Sequence, residues 1–503
     1  MTAAIRLPAH VALLGAACAL AFAIGGCKRE ATPAEAMPAP QAATQQREVP
    51  ELVADLQRRT FDWFWEVGNP DNGLVPDRWP TPSASSVAAV GFGLTAYGVG
   101  VERGWISREQ AVDRTLATLR FFARAPQGQN EQGAAGYKGF FYHFLELDNG
   151  LRSGTNEVST VDTSLLLGGI LFAQSYYDRD DRKEADIRRL ADKIYRRVDW
   201  TWAQARKPLI SMGWKPEEGM LPYDWQGYNE ALLVYVLALG SPTHPVGEDA
   251  YVAWSAHYDR TWGKFHEQEH LSFPPLFGHQ YSHVWIDFRG IQDAYTRGKG
   301  IDYFENSRRA AYSQQAYAVD NPNGWRGYGK TVWGLTACDG PIDASFDFDG
   351  TTRLFRTYAP RGAGIEYALD DGTIAPTAAA GSIAFAPEIA IPAIEAMHEK
   401  YGKDIYGEYG FLDAFNPSFT FADAPLKHGR VTDSGWVDGD YLGIDQGPIV
   451  LMIENYRSDF VWKVMRRNPY IQRGLQRAGF RGGWLDALPK QGEAKASSPD
   501  KAG

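Results

Sequence analysis

The chain has 503 residues and carries 51 Lys and Arg against 61 Asp and Glu, a formal charge of −10. No basic stripe interrupts that balance, which excludes electrostatic capture of nucleic acid. The length could hold several domains, but flexible composition occurs only at the two ends, so one large folded unit is expected.

The chain opens on an export pattern. Arg6 precedes an uncharged apolar stretch from Val11 to Ile24, too short for a stable membrane span, and Gly25, Gly26 and Cys27 follow. Small residues before a cysteine are similar to the lipidation signal of bacterial lipoproteins. Residues 1–26 are therefore expected to be a signal peptide, and Cys27 the lipidated first residue of the mature chain. Residues 27–49, rich in Ala, Pro, Glu, Gln and Thr, would form a disordered tether. The folded domain is expected over residues 50–488, and residues 489–503 form a disordered tail. Lys28 after the cysteine points to the outer membrane, on its periplasmic or surface face. Cys18 falls in the leader and Cys338 stands alone, so neither a disulfide nor a cysteine metal knuckle is expected.

From Glu51 onward two kinds of segment alternate. Glu51–Val67, Arg108–Arg124, Lys183–Arg206, Glu248–Gly263, Asp302–Val319 and Phe460–Phe480 mix charged and apolar residues at helical spacing. A further outer helix near Tyr401–Asp413 is poorly marked. Six polar patches open directly into apolar runs: Ser83–Val90, Ser159–Leu166, Tyr228–Leu233, Tyr281–Asp287, Gly381–Glu388 and Gly443–Val450. Each offers a hydroxyl or carboxylate cap, or Pro448 near a first turn. A helix apolar almost all round must be buried on every side. Six such helices wrapped by amphipathic ones predict an all-α (α/α)6 toroid, six inner and six outer, with long loops at the end where the inner N-termini gather. An open solenoid would carry a repeat of fixed period, and none is present.

The polar patches hold the candidate chemistry. The aromatic loop from Trp214 ends in Glu230, beside Trp225 and Tyr228. Burial against those rings would raise its pKa toward that of a general acid, while the helix N-terminus favours the anion. The rival role is a helix-end hydrogen-bond acceptor. Asp445, at another helix start after the loop that holds Trp436, is expected to remain ionised, as a base must, or to serve as a plain cap. Glu454 and Arg457 read as a structural i, i+3 pair. Asp162 lies in a first turn with Glu157 just before it, and either could position a water or a hydroxyl. His279, His283, Asp287 and Arg289 look like hydroxyl ligands, since no HExxH accompanies the histidines. Asp347-Phe-Asp-Gly lacks the later acidic positions of a calcium loop. No metal and no cofactor is expected. Aromatic residues form 13% of the chain, 16 of them Trp, and polar-tipped rings suit sugars, wet ligands with apolar faces.

Phe61-Asp-Trp-Phe-Trp, Gly73-Leu-Val-Pro-Asp-Arg, Ser159-Thr-Val-Asp-Thr, Tyr228-Asn-Glu-Ala, Gly443-Ile-Asp-Gln-Gly-Pro and Glu454-Asn-Tyr-Arg follow in that order. Together they resemble the bacterial glucoamylase-like domain, whose characterised members include endo-β-1,2-glucanases of glycoside hydrolase family 144. The resemblance covers Glu51 to Leu488. It implies a toroid with a long cleft and an inverting, metal-free hydrolase that cuts β-1,2-glucan internally to short sophoro-oligosaccharides. It carries over to Glu230 as the acid, then to Asp162 and Asp445. Asp445 is the first choice of base, and Asp162 with Glu157 the second. In a related family the acid acts through a substrate hydroxyl. Glu157, Trp225, Tyr228, His279, His283, Asp287, Arg289 and Trp436 are the expected substrate contacts, with a β-glucan or oligosaccharide as the partner and a monomer as the assembly. Action on another linkage, transglycosylation and non-catalytic oligosaccharide capture are the alternatives. Convergent carboxylates favour catalysis over capture.

Overall fold

The computed structural model describes residues 46–488. The expected leader, Cys27 and the tail at 489–503 lie outside the described residues. Within them, α1 (Glu51–Asp62) continues into a π-turn at Trp63–Val67. Five of the apolar runs become α2 (Val87–Glu102), α4 (Thr160–Tyr176), α6 (Leu232–Gly240), α8 (Tyr281–Trp285) and α13 (Gly443–Ser458), while α11 (Pro376–Ala380) stands just ahead of the expected run at Gly381. Between them come α3 (Arg108–Arg124), α5 (Arg182–Arg197), α7 (Asp249–Ser255), α9 (Ala294–Lys299), α10 (Tyr303–Asp320) and α12 (Pro387–Ile405). Three short helices close the described residues: α14 (Phe460–Met465), α15 (Pro469–Arg477) and α16 (Gly483–Asp486).

The starts follow local chemistry. Ser86 and Ser159 cap α2 and α4, each accepting from the third residue onward, and Ser107 with Gln110 forms a capping box on α3. The apolar helices then pack backbone to backbone through glycine. A Cβ on Gly91 would lie 2.1 Å from the Leu165 carbonyl oxygen, and one on Gly169 would lie 2.0 Å from the Gly91 oxygen. Only glycine lets α2 and α4 approach so closely. Gly447 of α13 leaves room for Phe92 of α2 in the same way. Ser282 of α8 donates to the Glu230 carbonyl before α6 at 3.0 Å, Gln280 donates to the Ala378 carbonyl of α11 at 2.9 Å, and Thr377 of α11 donates to the Asp445 carbonyl of α13 at 2.8 Å. Trp285 reaches across to donate to Thr95 of α2 at 2.9 Å.

Four expectations change. Gly381 ends a helix instead of opening one: Pro376 starts α11 five residues earlier, and Pro387 then starts the amphipathic α12. Tyr401–Asp413 is therefore the end of α12 followed by a tight hairpin, Tyr406–Gly407 against Gly410–Phe411. Phe460–Phe480 is split, because Pro469 with its Asn468 cap begins a new helix. Glu454 pairs with Arg103 at 2.6 Å, whereas Arg457 donates to Gln57.

Short strands occupy the loops. Gly136–Tyr137, Phe140–Tyr142, Val158–Ser159, Gly213–Lys215 and Gly219–Met220 form one antiparallel sheet, whose central strand, Val158–Ser159, runs directly into α4. Arg78–Trp79 pairs with Tyr441–Leu442 immediately before α13. These pairings bring loop carboxylates to the N-terminal ends of α2, α4, α6 and α13.

Candidate active site

Glu230 lies in the turn two residues before α6. It does not cap that helix: Asn229 accepts from the Ala231 N–H instead, at 3.0 Å. Its Oε2 is sealed from solvent and has no hydrogen-bond partner. Burial first, and then the nearby Asp162 charge, raise its pKa from an ordinary 4.5 to about 7. A carboxyl tuned to that value can hold a proton at neutral pH and still give it up.

Two acidic groups share the same end of the molecule. The sheet ahead of α4 places His143 between Glu157 and Asp162. Its Nδ1 is 3.1 Å from Glu157 Oε1 and its Nε2 is 3.5 Å from Asp162 Oδ1. The strand hydrogen bond from His143 N–H to the Glu157 carbonyl, 2.9 Å, fixes that geometry. Burial alone would lower the His143 pKa, but Asp162 and then Glu157 outweigh it and take it to about 9. Burial likewise opposes ionisation of Glu157, yet the bond to His143 holds that carboxyl below its ordinary value. Ser159, the α4 cap, also donates its hydroxyl to Asp162.

The second group is assembled from four separate loops. Arg78 donates to Asp339 at 2.6 Å and lies 3.5 Å from Asp440. Asp339 N–H donates to Asp413 Oδ2 at 2.7 Å. Asp413, Asp438 and Asp445 are all buried, each with one oxygen lacking a partner. Asp445 was expected to be ionised, and here the structure disagrees. Burial, and then the adjacent Asp413 charge, push its carboxyl well above the ordinary range. Burial and the Asp339 charge raise Asp413 to about 7, so this pair retains a proton at neutral pH. Asp445 also makes no side-chain cap on α13.

Tyr281 at the start of α8 ties the three sites together. Its phenol is pushed well up by burial and then by the charges of Asp445, Glu230 and Asp162. A pocket of about 170 Å³ lies between the two acidic groups, lined by Asp77, Arg78, His143 and Tyr358 among others. The ligand atoms of His143, Glu157 and Asp162 lie within 4.8 Å of one another, as do those of Asp339, Asp413 and Asp438. Either trio is close enough to hold a cation, but protonated His143 and Arg78 already supply the positive charge there.

Other expected contacts fall elsewhere. Trp225 is buried and donates to Thr160 at 2.8 Å, which braces the start of α4. Trp436 is buried within the strand Gly435–Val437 and donates to the His428 carbonyl. Tyr228 stacks on Tyr303 at 5.6 Å. His279 and His283 are each 1% exposed, so burial keeps both neutral, His283 down to about 3. None of these five presents a polar group to the pocket. Asp287 and Arg289 are a correction: α8 is only five residues long, so both lie past its far end. Asp287 pairs there with Arg289 and Arg466, and Arg289 also meets Asp459 at 3.1 Å. Asp459 is fourteen residues beyond Asp445 along α13, which puts that ion-pair cluster about 20 Å from the carboxylate end. His143, Asp339 and Asp413 escaped the sequence reading, since each sits in an irregular loop with no motif around it. Asp77 and Arg78 carried a signal in Gly73-Leu-Val-Pro-Asp-Arg.

Comparison with known proteins identifies the family. A family model described as "putative glucoamylase" matches residues 222–469, which include Glu230 and Asp445. A "putative glucoamylase" structure from Bacteroides uniformis superposes with a TM-score of 0.74 at 31% identity, covering 88% of this chain and 100% of that one. An endo-β-1,2-glucanase from Chitinophaga pinensis, solved with sophorotriose and glucose, gives 0.72 at 28% identity over 86% and 98%. A curated relative from Parabacteroides distasonis, an exo β-1,2-glucooligosaccharide sophorohydrolase acting at the non-reducing end, is 28% identical over 459 residues. The match takes in 85% of this chain and spans 57% of that relative's length. With identity above 30% along the whole of a solved glucoamylase-like structure, the chain belongs to the bacterial glucoamylase-like family and stands close to the endo-β-1,2-glucanases of glycoside hydrolase family 144.

Proposed function

We propose that this protein is an inverting glycoside hydrolase that cuts β-1,2-glucan internally and releases short sophoro-oligosaccharides. The observation that carries the proposal is Glu230, whose buried Oε2 has no partner and whose pKa burial and the nearby Asp162 raise to about 7. Glu230 gives its proton to the leaving glycosidic oxygen. The base that activates water on the opposite face is Asp162, oriented by Ser159 and by the His143–Glu157 pair. Asp445, the other candidate, holds a proton too firmly for that task before substrate arrives. Arg78 can donate to sugar oxygens, and Asp77, which lines the pocket beside it, can accept from sugar hydroxyls.

We also read the helices as a closed (α/α)6 toroid. Supporting this, α2 meets α4, α6 meets α8, α8 meets α11, α11 meets α13, and α13 returns to α2. The enzyme acts as a monomer, held to the outer membrane through Cys27; the small residues before that cysteine support the anchor.

A glucan panel tests the activity. The domain should release products from linear β-1,2-glucan and not from α-linked or other β-linked glucans, with viscosity falling before disaccharide accumulates. Sophorose as the first product, with long chains persisting, would favour exo attack like that of the Parabacteroides relative. Products from another linkage alone would refute the substrate.

A further inference from the structure

A second concavity, about 470 Å³, lies outside the carboxylate site. Tyr317 near the end of α10 and Phe265 of the Trp262–Leu271 hairpin form one wall, with rings stacked at 6.1 Å. Arg353 and the loop from Gly362 to Asp370 form the other. Its polar groups are partly committed: Tyr317 donates to Asp370 at 2.7 Å, and Arg353 Nη2 donates to the Asn323 carbonyl at 2.8 Å. Two are not. Arg353 Nε and Glu366 Oε2 are sealed from solvent with no partner. Sealed atoms are out of a ligand's reach, so the polar groups on offer are the lining side chains, among them Asn323, Thr352 and Asp370. Tyr367, which lines the same concavity, stands 96% exposed. A free aromatic face beside polar side chains matches a neutral hexose, with its C–H face and its hydroxyls.

One stretch of chain joins the concavity to the pocket beside His143 and Arg78. Tyr358 lines that pocket and Gly362 lines the concavity, and four residues span at most about 14 Å. The stretch is rigidly held. Arg361 is fully buried, pairs with Asp371 through two bonds of 2.7 and 2.8 Å, and donates to the Cys338 carbonyl at 2.7 Å. We propose that this concavity is a distal sugar subsite that grips the β-glucan chain several units from the scissile bond, with Tyr367 as its stacking platform. The proposal rests on the glucan reading for the identity of the chain. Its consequence is a preference for long substrates, because binding energy from remote sugar units is available only to them.

Tyr367→Ala tests it, since so exposed a side chain can be removed without loss of folding. On linear β-1,2-glucan, kcat/KM should fall about fivefold while the shortest cleaved oligosaccharide is unaffected, the effect of losing one aromatic contact. Tyr367→Phe should restore it and the melting temperature should not move. Equal kcat/KM for Tyr367→Ala and wild type on long chains would overturn the subsite. If wild type cleaves no β-1,2-glucan, the functional reading fails first, and affinity electrophoresis in gels cast with other α- and β-glucans decides the subsite by itself. Retardation that Tyr367→Ala abolishes upholds the subsite, and absence of retardation by every glucan ends it.

Discussion

Replacing Glu230 by Gln keeps the shape of the side chain and takes away one proton. Two consequences can be worked from the structure. Turnover should fall by about 10² to 10⁴, the usual contribution of a positioned general acid. Stability should move the other way. The folded pKa of about 7 lies above the ordinary 4.5, so the neutral carboxyl is the form the fold prefers. The fold is therefore most stable below the unfolded pKa, loses stability as pH rises from about 4.5 to about 7, and bears the whole penalty above that. At about 1.4 kcal/mol per pKa unit the penalty is at most about 3.5 kcal/mol, and Gln is spared it. Gln and wild type should thus melt alike at acid pH, with the variant more stable in mildly alkaline buffer. In wild type, kcat/KM should decline as pH rises through about 7. Melting curves and initial rates on the same samples, in acid and alkaline buffers, check all three. A variant that keeps full turnover but loses about 0.5–2 kcal/mol would show Glu230 to be a helix-end acceptor and would refute the reasoning.

Asp162→Asn should lose turnover by about 10² or more, whereas Asp445→Asn, replacing a carboxyl that burial keeps protonated, should stay within about tenfold of wild type and gain stability in alkaline buffer. The reverse ranking in steady-state kinetics would transfer the base to Asp445. Gly91→Ala should destabilise by about 3 kcal/mol in denaturant titration, because its Cβ would meet the Leu165 carbonyl oxygen at 2.1 Å and neither backbone can retreat. Full-length protein should partition into detergent and Cys27→Ala should not; equal partitioning would remove the lipid anchor.

Much of the scaffold is written in local chemistry. Serine caps at Ser86 and Ser159 and the box at Ser107 set helix starts that a pattern of hydroxyls and apolar runs reveals directly. The failures share a cause. At Gly381 and Tyr401–Asp413 the decisive signals were Pro376 and Pro387, each starting a helix, and the run that looked like an opening was the short link between them. Asp287 and Arg289 looked like ligands only on the assumption of a longer α8. The burial of Glu230 was legible because it stands at the start of a run apolar on every side. The protonation of Asp445 was not, because Asp339 and Asp413, which help to raise its pKa, arrive from loops far along the chain. Charge repulsion among residues so separated exists only once the fold has closed.

The configuration of the first product tests the central claim most directly. If Glu230 protonates the leaving oxygen while a water is activated from the opposite face, proton NMR during the first minutes on β-1,2-glucan should show new reducing ends in the α configuration, ahead of mutarotation. Glu230→Gln should give none, and azide should yield no glycosyl azide of retained configuration. New ends that appear first as the β anomer would mean a covalent intermediate on one of these carboxylates and would contradict the mechanism proposed here.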